Sequence, residues 1–234
     1  MGCVVCGATP LVKSHLLPAA FVRDVKAFGP DMWIGAAEHQ GKRLSQSGLF
    51  DRFLCSEHEG MLHAADDHAI KFIRDFALTP AEIESGRFRR EGTDNELLLR
   101  FACSVLWRFH HSNLREAEYV DVGEWEPNLR RVSLGGSVAE APDVLVFASH
   151  QTIMPNSALI LTPARGTRMG EPTLQFIVNG LVFTTKLGHG VWPIEHFHGV
   201  LNQTPTWIDS IVHTWGEQEV RDLKVAADRL RESR

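Results

Sequence analysis

Cys3-Val4-Val5-Cys6-Gly7 opens the chain, and Phe53-Leu54-Cys55-Ser56-Glu57-His58-Glu59 answers it from a distance. The reading of these two stretches decides the fold. Two thiolates at x₂ spacing grip one ion while the backbone between them turns tightly, and Gly7 suits that turn. The second stretch is a Cys-x₂-His pair that leads into a helical pattern. Together, Cys3, Cys6, Cys55 and His58 supply a complete Cys₃His set for structural zinc. The competing reading is a redox pair at Cys3 and Cys6. Thioredoxin-like sites follow a strand and open a helix inside a βαβ unit, and here the pair stands at the very start of the sequence. The remaining cysteine, Cys103, lies on an apolar helical stretch and reads as a buried core thiol.

Outward from these pairs, the pattern orders the chain. Residues 61–78 carry Leu62, Ala65, Ala69, Ile73 and Phe76 at helical spacing. Thr79-Pro80 ends that helix or begins the next, and residues 81–93 are charged and expected to be exposed. Residues 95–112 read as a largely buried core helix, with Thr93 or Asp94 as its cap. From about residue 140 the apolar runs shorten. Val144–Ala148, Ala158–Thr162, Leu174–Val178 and Leu181–Thr185 read as strands of a small antiparallel sheet over about 140–186. Asn179-Gly180 marks a tight hairpin turn. Residues 217–232 form an amphipathic helix. The expected fold class is α+β, with a zinc module over 1–78 and an α+β region over 79–234.

The 234 residues are 44% apolar and 23% charged, an ordinary globular composition, and the formal net charge is −5. That charge argues against a broadly basic nucleic-acid binder but leaves room for a local basic patch. No apolar run approaches the ~20 residues of a membrane span, and no charged-then-apolar leader is evident, so a cytoplasmic protein is expected. Histidines number 12. His15, His58, His63 and His68 lie near the cysteines in sequence. His196 and His198 alternate as strand residues do and, with Trp192 and Trp207, offer the C-terminal region's few candidate contacts; surface histidines are the simpler reading.

Cys3–Gly7, Lys13-Ser14-His15-Leu16-Leu17-Pro18 and Phe53–Glu59 together resemble the zinc-containing branch of HNH nucleases, over residues 1 to 78 or so. A wider resemblance, to bacterial proteins with a SHIIP-type segment and no known activity, runs through Gly48–Cys55, Asp66-Asp67-His68-Ala69 and Ser104-Val105-Leu106-Trp107-Arg108. The nuclease resemblance implies a treble-clef (ββα-metal) module, hydrolysis of phosphodiester bonds in DNA or RNA, and Mg²⁺ or Mn²⁺ beside the structural zinc. It implies that His15 is the general base and that Glu59 stands where relatives carry a metal ligand. The chain departs from the pattern at Ser14, where an Asp ligand is usual, and in lacking the middle Asn, for which Asp51 is the nearest substitute. Asp66, Asp67 and His63 are further candidates on the following helix, His63 and Asp67 sharing a face four residues apart.

Each of these residues also has a structural reading. His15 can pack against the knuckle, Glu59 can favour a helix N-terminus, and Asp66 and Asp67 can be solvated helix positions. Arg108 can bind phosphate or pair with one of those aspartates. The alternative function is a non-catalytic zinc module that binds nucleic acid or a protein partner.

Overall fold

The structure is a computed structural model that describes residues 2–27, 33–35, 48–150, 159–193 and 198–215. In chain order the elements are β1 (Ser14–His15), α1 (Ala19–Lys26), β2 (Trp33–Gly35), β3 (Phe50–Asp51), α2 (Ser56–Met61), α3 (His63–Asp75) and α4 (Pro80–Ser85). They continue with β4 (Arg87–Glu91), α5 (Asn95–His111), α6 (Glu126–Ser133), β5 (Val144–His150), β6 (Leu159–Arg168), β7 (Glu171–Val178), β8 (Leu181–Lys186) and β9 (Trp207–Thr214). The fold class is α+β, as the patterning implies.

Helix α5 is the axis of the molecule. The Asp94 carboxylate caps it, accepting from the Leu97 N–H at 3.0 Å. Apolar residues surround it on nearly every side, which is the signature of a helix buried all round. Its Phe101 meets the sheet, with ring centroids 6.0 Å from Phe176 and 5.5 Å from Phe183. One continuous apolar core runs from Cys3 and Leu16 through α5 to Val212, and so includes residues on both sides of position 78. The expected helix over 61–78 is divided. Helix α2 closes at Met61, and α3 stops at Asp75 because Phe76 turns extended to pack edge-on against Phe88. Thr79 and Glu82 then form a reciprocal capping box that starts α4.

The sheet runs β2-β6-β7-β8-β5-β9-β4. All four expected strands are present, joined in an antiparallel β6-β7-β8-β5 run. Asn179 and Gly180 both take positive φ, 47° and 87°, as a two-residue hairpin turn demands. Met169-Gly170 makes a second such turn. The expected antiparallel sheet over about 140–186 is present as β5–β8, and the sheet extends beyond it, with β2 parallel to β6 and β9 parallel to β5. The charged stretch 81–93 is largely exposed, as expected, but residues 87–91 form the edge strand β4, which pairs with β9, buries Phe88 and leaves Arg87 and Arg89 to solvent while Arg90 is half-buried. Among the described residues no helix is long and apolar enough to cross a membrane. The expected helix over 217–232 and His196 lie outside the described residues.

Candidate metal centre

The knuckle is built by backbone hydrogen bonds. Gly7 N–H donates to Cys3 O at 2.7 Å, and Cys3 N–H donates to Ala8 O at 2.9 Å. Gly7 sits at φ +73°, so the turn needs a residue without a Cβ. Two further bonds, Val4 N–H to Phe53 O and Val12 N–H to Leu54 O, at 3.0 and 2.9 Å, lay this segment against the residues that precede Cys55. Cys55 is the N-cap of α2 and His58 lies in its first turn, so both project from one helical face.

The four ligand atoms converge, all within 4.8 Å of one another. His58 Nδ1 lies 3.8, 3.6 and 3.2 Å from the sulfurs of Cys3, Cys6 and Cys55, and the sulfurs of Cys6 and Cys55 are 3.8 Å apart. A zinc tetrahedron with Zn–S near 2.3 Å and Zn–N near 2.0 Å has edges of about 3.8 Å between sulfurs and about 3.5 Å from sulfur to nitrogen. The observed edges are of that size, and the thiols are too far apart for a disulfide. These four residues can therefore hold a metal ion. Burial pushes the Cys3 thiol up, but the backbone N–H groups of Cys55, Cys6 and Val5 outweigh it and bring it down to about 6. Cys103 is buried away from the cluster and pushed up to about 12 by desolvation, as an inert core thiol should be.

Of the remaining candidates, His15, Asp66 and Glu59 lie around Arg108. Strand β1 pairs antiparallel with β3, Ser14 opposite Asp51 and His15 opposite Phe50. The His15 ring is half-buried and tilted against Phe50, while its carbonyl accepts from Arg108 Nη1 at 2.9 Å. Burial, then the cations of Lys13, Arg108 and Arg23, lower its pKa and favour the neutral imidazole. Arg108 is fully buried and grips both carboxylate oxygens of Asp66, at 3.0 and 2.8 Å. Of the two readings of Arg108, the structure thus takes the ion pair.

Glu59 is half-buried beside Ser14, Arg108, Asp66 and His63. Its Oε2 and the Ser14 hydroxyl are buried with no third group to bond, and they face each other: burial raises the Glu59 pKa and the Ser14 hydroxyl partly offsets it. Asp51, by contrast, is occupied. Its carboxylate accepts from Asn113 N–H at 2.8 Å and from the Ser112 hydroxyl at 3.2 Å, fastening the end of α5. His63 and Asp67 are exposed on α3. Among the described residues, His15, Glu59, Asp51, His63 and Asp67 do not form a second group of three converging ligands. Trp192 is buried in the core, and His198 packs edge-on against Trp207 far along the sheet. Lys13 and Arg23 are missing from the sequence reading, and nothing in their spacing marks them. Arg108 carried a signal: it is a charge in the middle of an apolar helix, which demands a partner.

No known protein family, curated protein or solved structure matches this chain.

Proposed function

We propose that Cys3, Cys6, Cys55 and His58 hold one structural zinc ion in a treble-clef module, and that His15 and Glu59, mounted on it, serve a metal-dependent nuclease of HNH type. The observation that carries this reading is an imidazole on β1 that burial first, and then the nearby cations Lys13, Arg108 and Arg23, favour in its neutral form. A neutral histidine accepts a proton from water, and cations around it suit an anionic phosphodiester. The oxygens of Glu59 and Ser14, which face only each other, would fit a hard cation that otherwise coordinates water and substrate. Glu59 and Ser14 would hold such a divalent ion, which would supply positive charge toward the leaving oxygen. His15 takes the proton of the attacking water, Lys13 and Arg23 orient the phosphate, and Arg108 with Asp66 fixes the strand that carries His15.

The second reading is a non-catalytic zinc module that binds nucleic acid or a protein partner. It is favoured by the engagement of Asp51 with Ser112 and Asn113, which leaves few free carboxylates for a second ion. Incubation with plasmid DNA and with RNA, in Mg²⁺ and in Mn²⁺, separates the two. The nuclease reading expects cleavage, and a loss of ~10²–10⁴-fold in His15→Ala at unchanged zinc content and melting temperature. Intact nucleic acid in all four mixtures favours the binding module, and full cutting by His15→Ala removes His15 as the general base.

A further inference from the structure

The outer face of the sheet, turned away from α5, has its own apolar cluster of Leu145, Phe147, Ile177, Val182, Trp192 and Val200. Beside it a cavity of about 300 Å³ opens between Phe147, Ile177, Trp215, Gln175 and Arg168. The strand that supplies Arg168 is irregular. Its register with β7 shifts between Leu161 and Ala164, around Pro163, which has no N–H to give the ladder. The shift leaves Arg168 opposite Glu171 at the end of the hairpin.

That cross-strand glutamate would be the obvious partner, yet its carboxylate turns to the Gly190 N–H at 3.1 Å. Arg168 instead lays its guanidinium over the Phe147 ring, 4.5 Å from the centroid. Its Nε is buried with no acceptor, and no hydrogen bond or ion pair to it exists among the described residues. Arg108, the fully buried arginine among the described residues, has both a carboxylate and a carbonyl. Burial pulls Arg168 below the usual arginine range with no carboxylate to offset it. Arg168 is half-buried, and a buried N–H without an acceptor is costly unless something else supplies one.

We propose that Arg168 is the anion-recognition group of a second site, which takes a small organic anion, a carboxylate or phosphate borne on a flat apolar body. The guanidinium fork matches either headgroup in bidentate fashion. Phe147, Ile177 and Trp215 cover the body, and Gln175 borders the same cavity. The size is at the small end of ligand pockets, which suits a single ring. This proposal is independent of the metal centre and of the nuclease reading.

Titration calorimetry of the full chain with benzoate, phenyl phosphate and neutral benzyl alcohol tests it. At least one of the two anions should bind at a single site, and benzyl alcohol at least tenfold more weakly. Which anion binds tighter identifies the headgroup. Arg168→Met keeps the side-chain length and loses the charge. It should weaken the anion at least tenfold while the melting temperature stays level or rises, because an unpaired cation has been removed. Failure of both anions to bind, or equal binding by Arg168→Met, overturns the proposal. So does a lower melting temperature in that variant, which would give the guanidinium a role in folding instead.

Discussion

The N-terminal segment and the β5–β8 sheet achieve order by opposite means. Strands β1 and β3 are two residues each, too short to hold themselves together. Beyond the burial of Leu16, Leu49 and Phe53 in the shared core, what fixes them is polar and specific: the four converging ligands, the knuckle's backbone bonds, and Arg108 reaching from α5 to Asp66 and the His15 carbonyl. The sheet relies on long ladders and on aromatic packing, with Phe176 and Phe183 stacked 4.9 Å apart under Phe101. A fold fixed by a few irreplaceable groups should fail abruptly when one is lost. A fold fixed by area should weaken in proportion to what is removed.

The largest effect is expected at the metal ligands. Cys6→Ala, or a strong zinc chelator, should remove the cross-link between the knuckle and α2 and cost several kcal/mol, on the order of half the ~10–16 kcal/mol that structural zinc supplies in small domains. Calorimetry with and without chelator would read it as a separate low-temperature transition. An unmoved transition would erase the contrast between the two regions. In the sheet, Phe183→Ala should cost about 3–5 kcal/mol, because the ring is fully buried between Phe101 and Phe176. Denaturant titration would check this, and zinc content should not change.

The patterning of the sheet was easy to read, and the reason is physical. Apolar runs broken by Asn179-Gly180 record both burial and turn in local sequence. Helix α5 was legible for the same reason, while residue type left its cap open between Thr93 and Asp94, of which the structure uses Asp94. The parallel pairings were not legible, since β2 and β9 meet their partners across long separations that no local pattern encodes. Strand β4 was hidden because an edge strand with one buried residue, Phe88, looks like a charged loop. At the metal centre the ligand spacing was sufficient. Which carboxylates stay free was not, because Asp51 is claimed by residues 112 and 113, far away in sequence.

A smaller effect concerns acid. The ion pair with Arg90, helped by the Thr79 N–H, pulls Glu82 down from 4.5 to about 2. A depressed carboxylate contributes stability that is full above pH ~4.5 and is lost as pH falls toward ~2. With both partners partly exposed, about 1–2 kcal/mol is expected. Glu82→Gln should flatten that part of an acid-unfolding profile, and an unchanged profile would show that the metal ligands' protonation dominates there. The smallest effect is at the hairpin. Gly180→Ala forces a side chain into φ +87° and should cost about 1 kcal/mol, read as a shift in the denaturant midpoint without a change in slope.

The account stands most directly on what the four ligands hold. X-ray absorption at the zinc edge, on protein purified without added metal, measures it. The prediction is one zinc per chain, with three sulfurs at about 2.3 Å and one nitrogen at about 2.0–2.1 Å. A folded protein without zinc, or a shell of oxygen and nitrogen alone, would contradict it.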